Sequence, residues 1–166
     1  MKEPYFPLFM NLSGQKIVTV GGGRIALRRI KTLLPFGAEI CVIAPRLCGE
    51  LEKICRERAD AVQVLRRTYR PEDVKNADLV LAATDSREVN RMIGQECREK
   101  GILVNVADDH TLCDFYFPSV VMTEDTVIGI SSGGASPGKT KQMRRDIENL
   151  LKTSEELHKL YDNEIV

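Results

Sequence analysis

Three short stretches hold residue types that chemistry would need. Asn105-Val106-Ala107-Asp108-Asp109-His110 gathers an amide, two carboxylates and an imidazole, the densest acid/base set in the chain. The plainer reading makes Asp109 and His110 ordinary loop residues, which turns favour. Gly21-Gly22-Gly23-Arg24-Ile25-Ala26 spells a dinucleotide-binding turn in its G-x-G-x-x-A form. In such a turn Gly21 permits the tight bend, Gly23 lets backbone approach a pyrophosphate, and Ala26 lets helix and strand pack closely, with the helix amides facing the anion. Without context the same pattern fits an ordinary tight turn. The third stretch is Ala82-Ala83-Thr84-Asp85, where Thr84 suits the nicotinamide side of such a ligand and Asp85, with Ser86, suits the cap of a helix running to Lys100.

The elements that must position these residues can be read from periodicity. Strand-like segments recur at Lys16 to Val20, Glu39 to Ala44, Ala61 to Arg66, Asp78 to Ala83 and Ile102 to Val106. Helical patterns follow the first, second and fourth of them. Ile25, Ala26, Ile30, Leu33 and Leu34 mark the first helix, which Pro35 and Gly37 stop. That alternation predicts an α/β fold with a Rossmann-like, doubly wound parallel sheet. Each chemical stretch then falls at the carboxyl edge of the sheet, where ligands of such folds collect. After Val106 the pattern changes. Phe115 to Met122 and Thr126 to Ser131 read as a hairpin around Thr123-Glu124-Asp125. Gln142 to Lys152 and Glu155 to Tyr161 read as helical, each with one apolar face. The expected division is residues 1–112 as a nucleotide-binding domain and residues 113–166 as a small α+β dimerisation segment ending in a C-terminal helix.

Composition narrows the function classes. The 166 residues suit one domain with an appended element. Lys and Arg number 24 against 24 Asp and Glu, so formal net charge is +0 and nothing favours nucleic acid or an anionic membrane as partner. Small molecules are the expected partners. Five cysteines form no C-x-x-C pair, which argues against a disulfide framework or structural zinc and for a reducing cytoplasm. No apolar run reaches secretory or membrane-spanning length. No metal site is expected, because His158 is the only histidine besides His110.

Two features bear on which ligand binds. The second strand ends Ile43-Ala44-Pro45-Arg46, without the acid that usually holds an adenosine ribose. Either backbone around Pro45 and Arg46 closes over the ribose, or Arg46 meets a 2′-phosphate, or Arg46 is simply solvated. Gly133-Gly134-Ala135-Ser136-Pro137-Gly138-Lys139-Thr140 satisfies the letter of a phosphate-binding P-loop. Pro137 lacks an N–H where that loop needs one, and 26 residues after Thr140 are too few for the sheet a P-loop begins.

Taken together, the motifs resemble the siroheme synthase N-terminal family, precorrin-2 dehydrogenases with or without sirohydrochlorin ferrochelatase activity. The resemblance covers almost the whole chain. It rests on Tyr5-Phe6-Pro7-Leu8-Phe9, Gly21 through Arg29, Ala82-Ala83-Thr84-Asp85, Asn105-Val106-Ala107-Asp108, Cys113-Asp114-Phe115 through Pro118, and Ile130-Ser131-Ser132-Gly133-Gly134-Ala135-Ser136-Pro137 with Arg144 beyond. It implies oxidation of precorrin-2 to sirohydrochlorin with NAD, in a cytoplasmic homodimer. Asp108 matches the family's catalytic aspartate, and Arg24, Ile25, Pro45 and Arg46 match its dinucleotide contacts beside Gly21, Gly22, Gly23 and Thr84. Asn105, Ser132, Gly133, Gly134 and Ser136 are the expected tetrapyrrole contacts. The chain is shorter than bifunctional members and carries no methyltransferase domain, so iron insertion is the alternative rather than the leading expectation. An NAD-sensing regulatory module would share the glycine turn but has no need of Asn105-Val106-Ala107-Asp108.

Overall fold

The computed structural model describes residues 5–163. Its backbone forms two compact units, one of Phe9–Phe115 and one of Tyr116 onward with the first residues through Leu8. In the larger unit, β1 (Lys16–Val20), β2 (Glu39–Ile43), β3 (Val62–Leu65), β4 (Leu79–Ala82) and β5 (Leu103–Val106) pair in parallel in the order β3-β2-β1-β4-β5. Helices α1 (Arg24–Leu33), α2 (Gly49–Glu57) and α3 (Arg87–Lys100) supply three of the four crossovers, and residues 66–78 join β3 to β4 without a helix. The chain lays strands to one side of β1, then returns to lay β4 and β5 on the other. The carboxyl ends of β1 and β4 therefore flank the topological switch point.

Parallel strands covered on both faces need apolar residues without alternation. In β4 all four residues are buried, as are the last four of β1. One face of the sheet contributes Val18, Val20, Val80, Ala82, Val104 and Val106, against which Ile93 and Cys97 of α3 pack. Each valine or isoleucine among them contributes about 2 kcal/mol on burial. On α1, Ala26, Leu27, Ile30 and Leu33 are buried. Helix α1 ends as expected: Pro35 lies in a 3-10 turn, Leu34–Phe36, closed by Gly37 at φ 73°.

The second unit holds an antiparallel hairpin, β6 (Ser119–Met122) and β7 (Val127–Ile130), and a helix, α4 (Pro137–Asn163), that lies against it. Three expectations need correction. The sixth strand starts at Ser119 rather than Phe115, because Pro118 has no N–H for a ladder. The terminal helix is continuous and begins at Pro137, not Gln142: proline is well suited to a first helical position, where its missing N–H costs nothing. The apolar face expected for Glu155 to Tyr161 lies outside the described side chains. The third correction narrows the cap read at Asp85-Ser86: Ser86 alone caps α3, its Oγ accepting from Val89 N at 3.3 Å.

Candidate functional site

The carboxyl edge of the larger unit is built from backbone first. Gly21 sits at φ 121° directly after β1, and a Cβ there would stand 2.2 Å from the carbonyl oxygen of Ala83. Only glycine allows the two central strands to release their chains this close together. Gly22 meets the loop after β2: its Cβ would stand 2.1 Å from Arg46 O, and its own carbonyl accepts from Cys48 N at 2.8 Å. Backbone at Pro45 and Arg46 thus abuts the glycine turn, while both side chains are exposed. Gly23 differs, for a Cβ there meets no protein atom within 4 Å. It is the N-cap of α1 and offers no side-chain cap, so the first-turn amides of a ten-residue helix are left for solvent or an anion. Arg24 and Ile25 open that helix and are exposed. Tight backbone contacts on the sheet side and open space at the helix mouth fit a dinucleotide pyrophosphate.

Across the switch point, Thr84 and Asp108 follow β4 and β5. A residue that motif reading passed over joins them. Asn90, 1% exposed on α3, accepts at Oδ1 from Thr84 N (3.0 Å) and Thr84 Oγ1 (2.7 Å). Its Nδ2 donates to Thr84 O at 3.2 Å and to Asp108 Oδ1 at 2.9 Å. Asp108 itself is exposed, and no cation pairs with it among the described residues. The signal that could have revealed Asn90 is chemical: an amide in the first turns of a helix is a weak helix former, and it stands four residues after the cap.

Asp109 and His110 behave as the plainer reading expects. Asp109 caps the 3-10 turn His110–Leu112, its Oδ1 accepting from Thr111 N (3.0 Å) and Thr111 Oγ1 (2.6 Å). Those bonds, aided by the Arg87 guanidinium 3.9 Å away, hold its carboxyl below the usual range. His110 is exposed. Asn105 is 4% exposed within β5, and its Nδ2 donates to Phe115 O at 2.6 Å, tying the departing chain to the sheet. Cys113 does similar work, its sulfur accepting from Val106 N at 3.1 Å and its S–H donating to Val106 O at 3.2 Å. Burial pushes its thiol up.

Ser132, Gly133, Gly134 and Ser136 come together in the second unit, in the loop between β7 and α4. Ser132 Oγ accepts from Ser136 N at 3.0 Å, and the Tyr5 ring lies 3.3 Å from where a Gly133 Cβ would stand. Tyr5 packs edge-on against Tyr116 at 4.5 Å. This loop leaves an antiparallel hairpin and Pro137 opens the helix, so the P-loop pattern does not form a P-loop. Among the described residues no group of three or more His, Cys, Asp or Glu is placed to hold a metal, and no helix is long and apolar enough to cross a membrane.

A switch point carrying a glycine turn, a helix mouth and a carboxylate defines a Rossmann-like nucleotide-binding protein. The family described as putative NAD(P)-binding matches residues 8–119. A probable multifunctional siroheme biosynthesis protein HemA of Ruminiclostridium josui is 39% identical, over 87% of this chain and 28% of its own length. The siroheme synthase of Photorhabdus laumondii is 38% identical, over 90% of this chain and 32% of its own. The solved structure of SirC, a precorrin-2 dehydrogenase, superposes with TM-score 0.71 at 30% identity, covering 87% of this chain and 70% of that one. The chain belongs to this NAD(P)-binding family of siroheme synthase N-terminal modules. It spans about a third of the length of the curated relatives it matches.

Proposed function

We propose that this chain is an NAD-dependent precorrin-2 dehydrogenase that yields sirohydrochlorin. The macrocycle loses one hydrogen with its electron pair, which a bound nicotinamide accepts as hydride, and a second hydrogen as a proton. The first-turn amides of α1 and the turn Gly21 to Gly23 hold the pyrophosphate, flanked by Arg24 and Ile25. Backbone at Pro45 and Arg46 closes over the ribose, and Thr84 lines the nicotinamide side. Asp108 takes the proton. The Ser132 to Ser136 loop and Asn105 are assigned to the tetrapyrrole on family resemblance.

Asp108 carries this reading: it is an exposed carboxylate at the edge where a nicotinamide arrives, oriented by a neutral amide rather than quenched by a cation. The similarity to a precorrin-2 dehydrogenase at 30% identity supports the substrate. Mixing the protein with precorrin-2 and NAD should produce the absorbance of NADH and of sirohydrochlorin together. No change with both present, from folded protein that binds NAD, overturns the reading. Sirohydrochlorin with ferrous iron and no NAD tests separately for iron insertion.

The same reading includes a homodimer. Met122, Met143 and Leu150 are 45%, 54% and 70% exposed in the second unit, apolar surface that a second copy would cover.

A further inference from the structure

We infer that Asn90 is the positioning residue of this site: its amide locks the Asp108 carboxylate to the turn that carries Thr84. The inference rests on Asp108 being the proton acceptor.

The hydrogen bonds determine which way the amide faces. Thr84 N–H can only donate, so the atom 3.0 Å from it is the amide oxygen, and the end facing Asp108 is the NH2. Both ends of the side chain are then fully used, on Thr84 N, Thr84 Oγ1, Thr84 O and Asp108 Oδ1. A buried amide is costly unless satisfied in this way, and once satisfied it has one orientation. Asn90 is also anchored through its backbone, N donating to Ser86 O at 3.0 Å. Thr84 Oγ1 in turn accepts from Ser86 N at 3.2 Å, so the turn after β4 and the first turn of α3 move as one body.

The consequence falls on Asp108. One carboxylate oxygen is held, and Oδ2 has no partner among the described residues. A lysine or arginine in place of Asn90 would orient the group equally well but would pair with its charge and weaken it as a base. The neutral amide orients without pairing. It also joins the proton acceptor to the residue on the nicotinamide side, so that the two reacting partners meet a single rigid edge.

The test is a double-mutant cycle with a readout in the resting protein. Asn90→Ala should lower kcat by about tenfold or more, with KM for precorrin-2 and Kd for NAD changed by less than about threefold. In an Asp108→Asn background the same substitution should change kcat by less than about threefold, because nothing remains to be positioned. Equal losses in both backgrounds, or no loss in the first, overturn the inference while precorrin-2 oxidation by the unsubstituted protein still stands. Failure of the unsubstituted protein to oxidise precorrin-2 overturns the proton-acceptor reading and this inference with it. Should Asn90→Ala not fold, NMR on the intact protein decides. The Asn90 side-chain NH2 signals should shift in Asp108→Asn and stay in place in Asp109→Asn. Signals indifferent to the Asp108 substitution overturn the link.

Discussion

Gly21 and Ala83 meet backbone to backbone: a single added carbon on Gly21 would stand 2.2 Å from the Ala83 carbonyl oxygen. That contact brings the exits of β1 and β4 together and so forms the switch point. It also separates two glycines that look alike in the sequence, since Gly23 has nothing within 4 Å of a Cβ.

Gly21→Ala should therefore cost about 3 kcal/mol of stability, from the clash and the positive φ together. Gly23→Ala should leave the denaturant midpoint nearly unchanged. Urea unfolding of the two variants side by side checks the difference.

Gly23→Asp should fold and lose NAD binding, because its carboxylate would stand at the mouth of α1, the proposed pyrophosphate site. Calorimetry returning wild-type NAD affinity from folded Gly23→Asp would remove the assignment of that helix mouth.

Asp108→Asn keeps the shape of the side chain and removes the proposed proton acceptor. Turnover should fall by about 10²-fold or more while NAD affinity is retained. Asp109→Asn should change turnover little, since Asp109 is committed to Thr111. Equal activity in both variants would make Asp108 a structural residue.

Asp73 gives a pH signature of folding away from the site. The Arg67 guanidinium, bonded at 2.7 Å to each oxygen, holds this carboxyl below the usual range, helped by Arg70 N. A carboxyl lowered in the folded state stabilises above its unfolded value and loses that contribution as pH falls through the folded one. Asp73→Asn should thus lower the urea midpoint at neutral pH, and the gap should narrow only below about pH 3.9, the ordinary Asp value. A gap independent of pH would refute the account.

A homodimer predicts a light-scattering mass near twice 18.6 kDa at micromolar concentration. A mass at the single-chain value would rule the dimer out.

Much of the frame was legible because its signals are local. The five parallel strands are apolar runs bounded by turn residues; the structure keeps Lys16–Val20 as read and shortens the other four by one residue at one or both ends. The glycine turn was legible because dinucleotide binding demands small residues at set spacing. The misplaced boundaries have local causes as well. Apolar residues around Phe115 imitate a strand that Pro118 delays, and Asp85 and Ser86 compete for one cap that the helix trajectory awards to Ser86.

The sequence by itself determined the order of elements, the glycine turn and the clustering of acid and amide side chains at one sheet edge, since each depends on near neighbours in the chain. Tertiary structure alone decided which carboxylate is free and what holds it. Asp108 and Asp109 are adjacent and identical in type, yet Asp109 bonds within its own turn and Asp108 bonds to Asn90, eighteen residues earlier. In the sequence Arg87-Glu88-Val89-Asn90-Arg91 reads as one more polar stretch of helix. Its asparagine becomes part of the site only when β4, α3 and β5 are packed together, because a hydrogen bond depends on distances that folding creates and residue spacing does not encode.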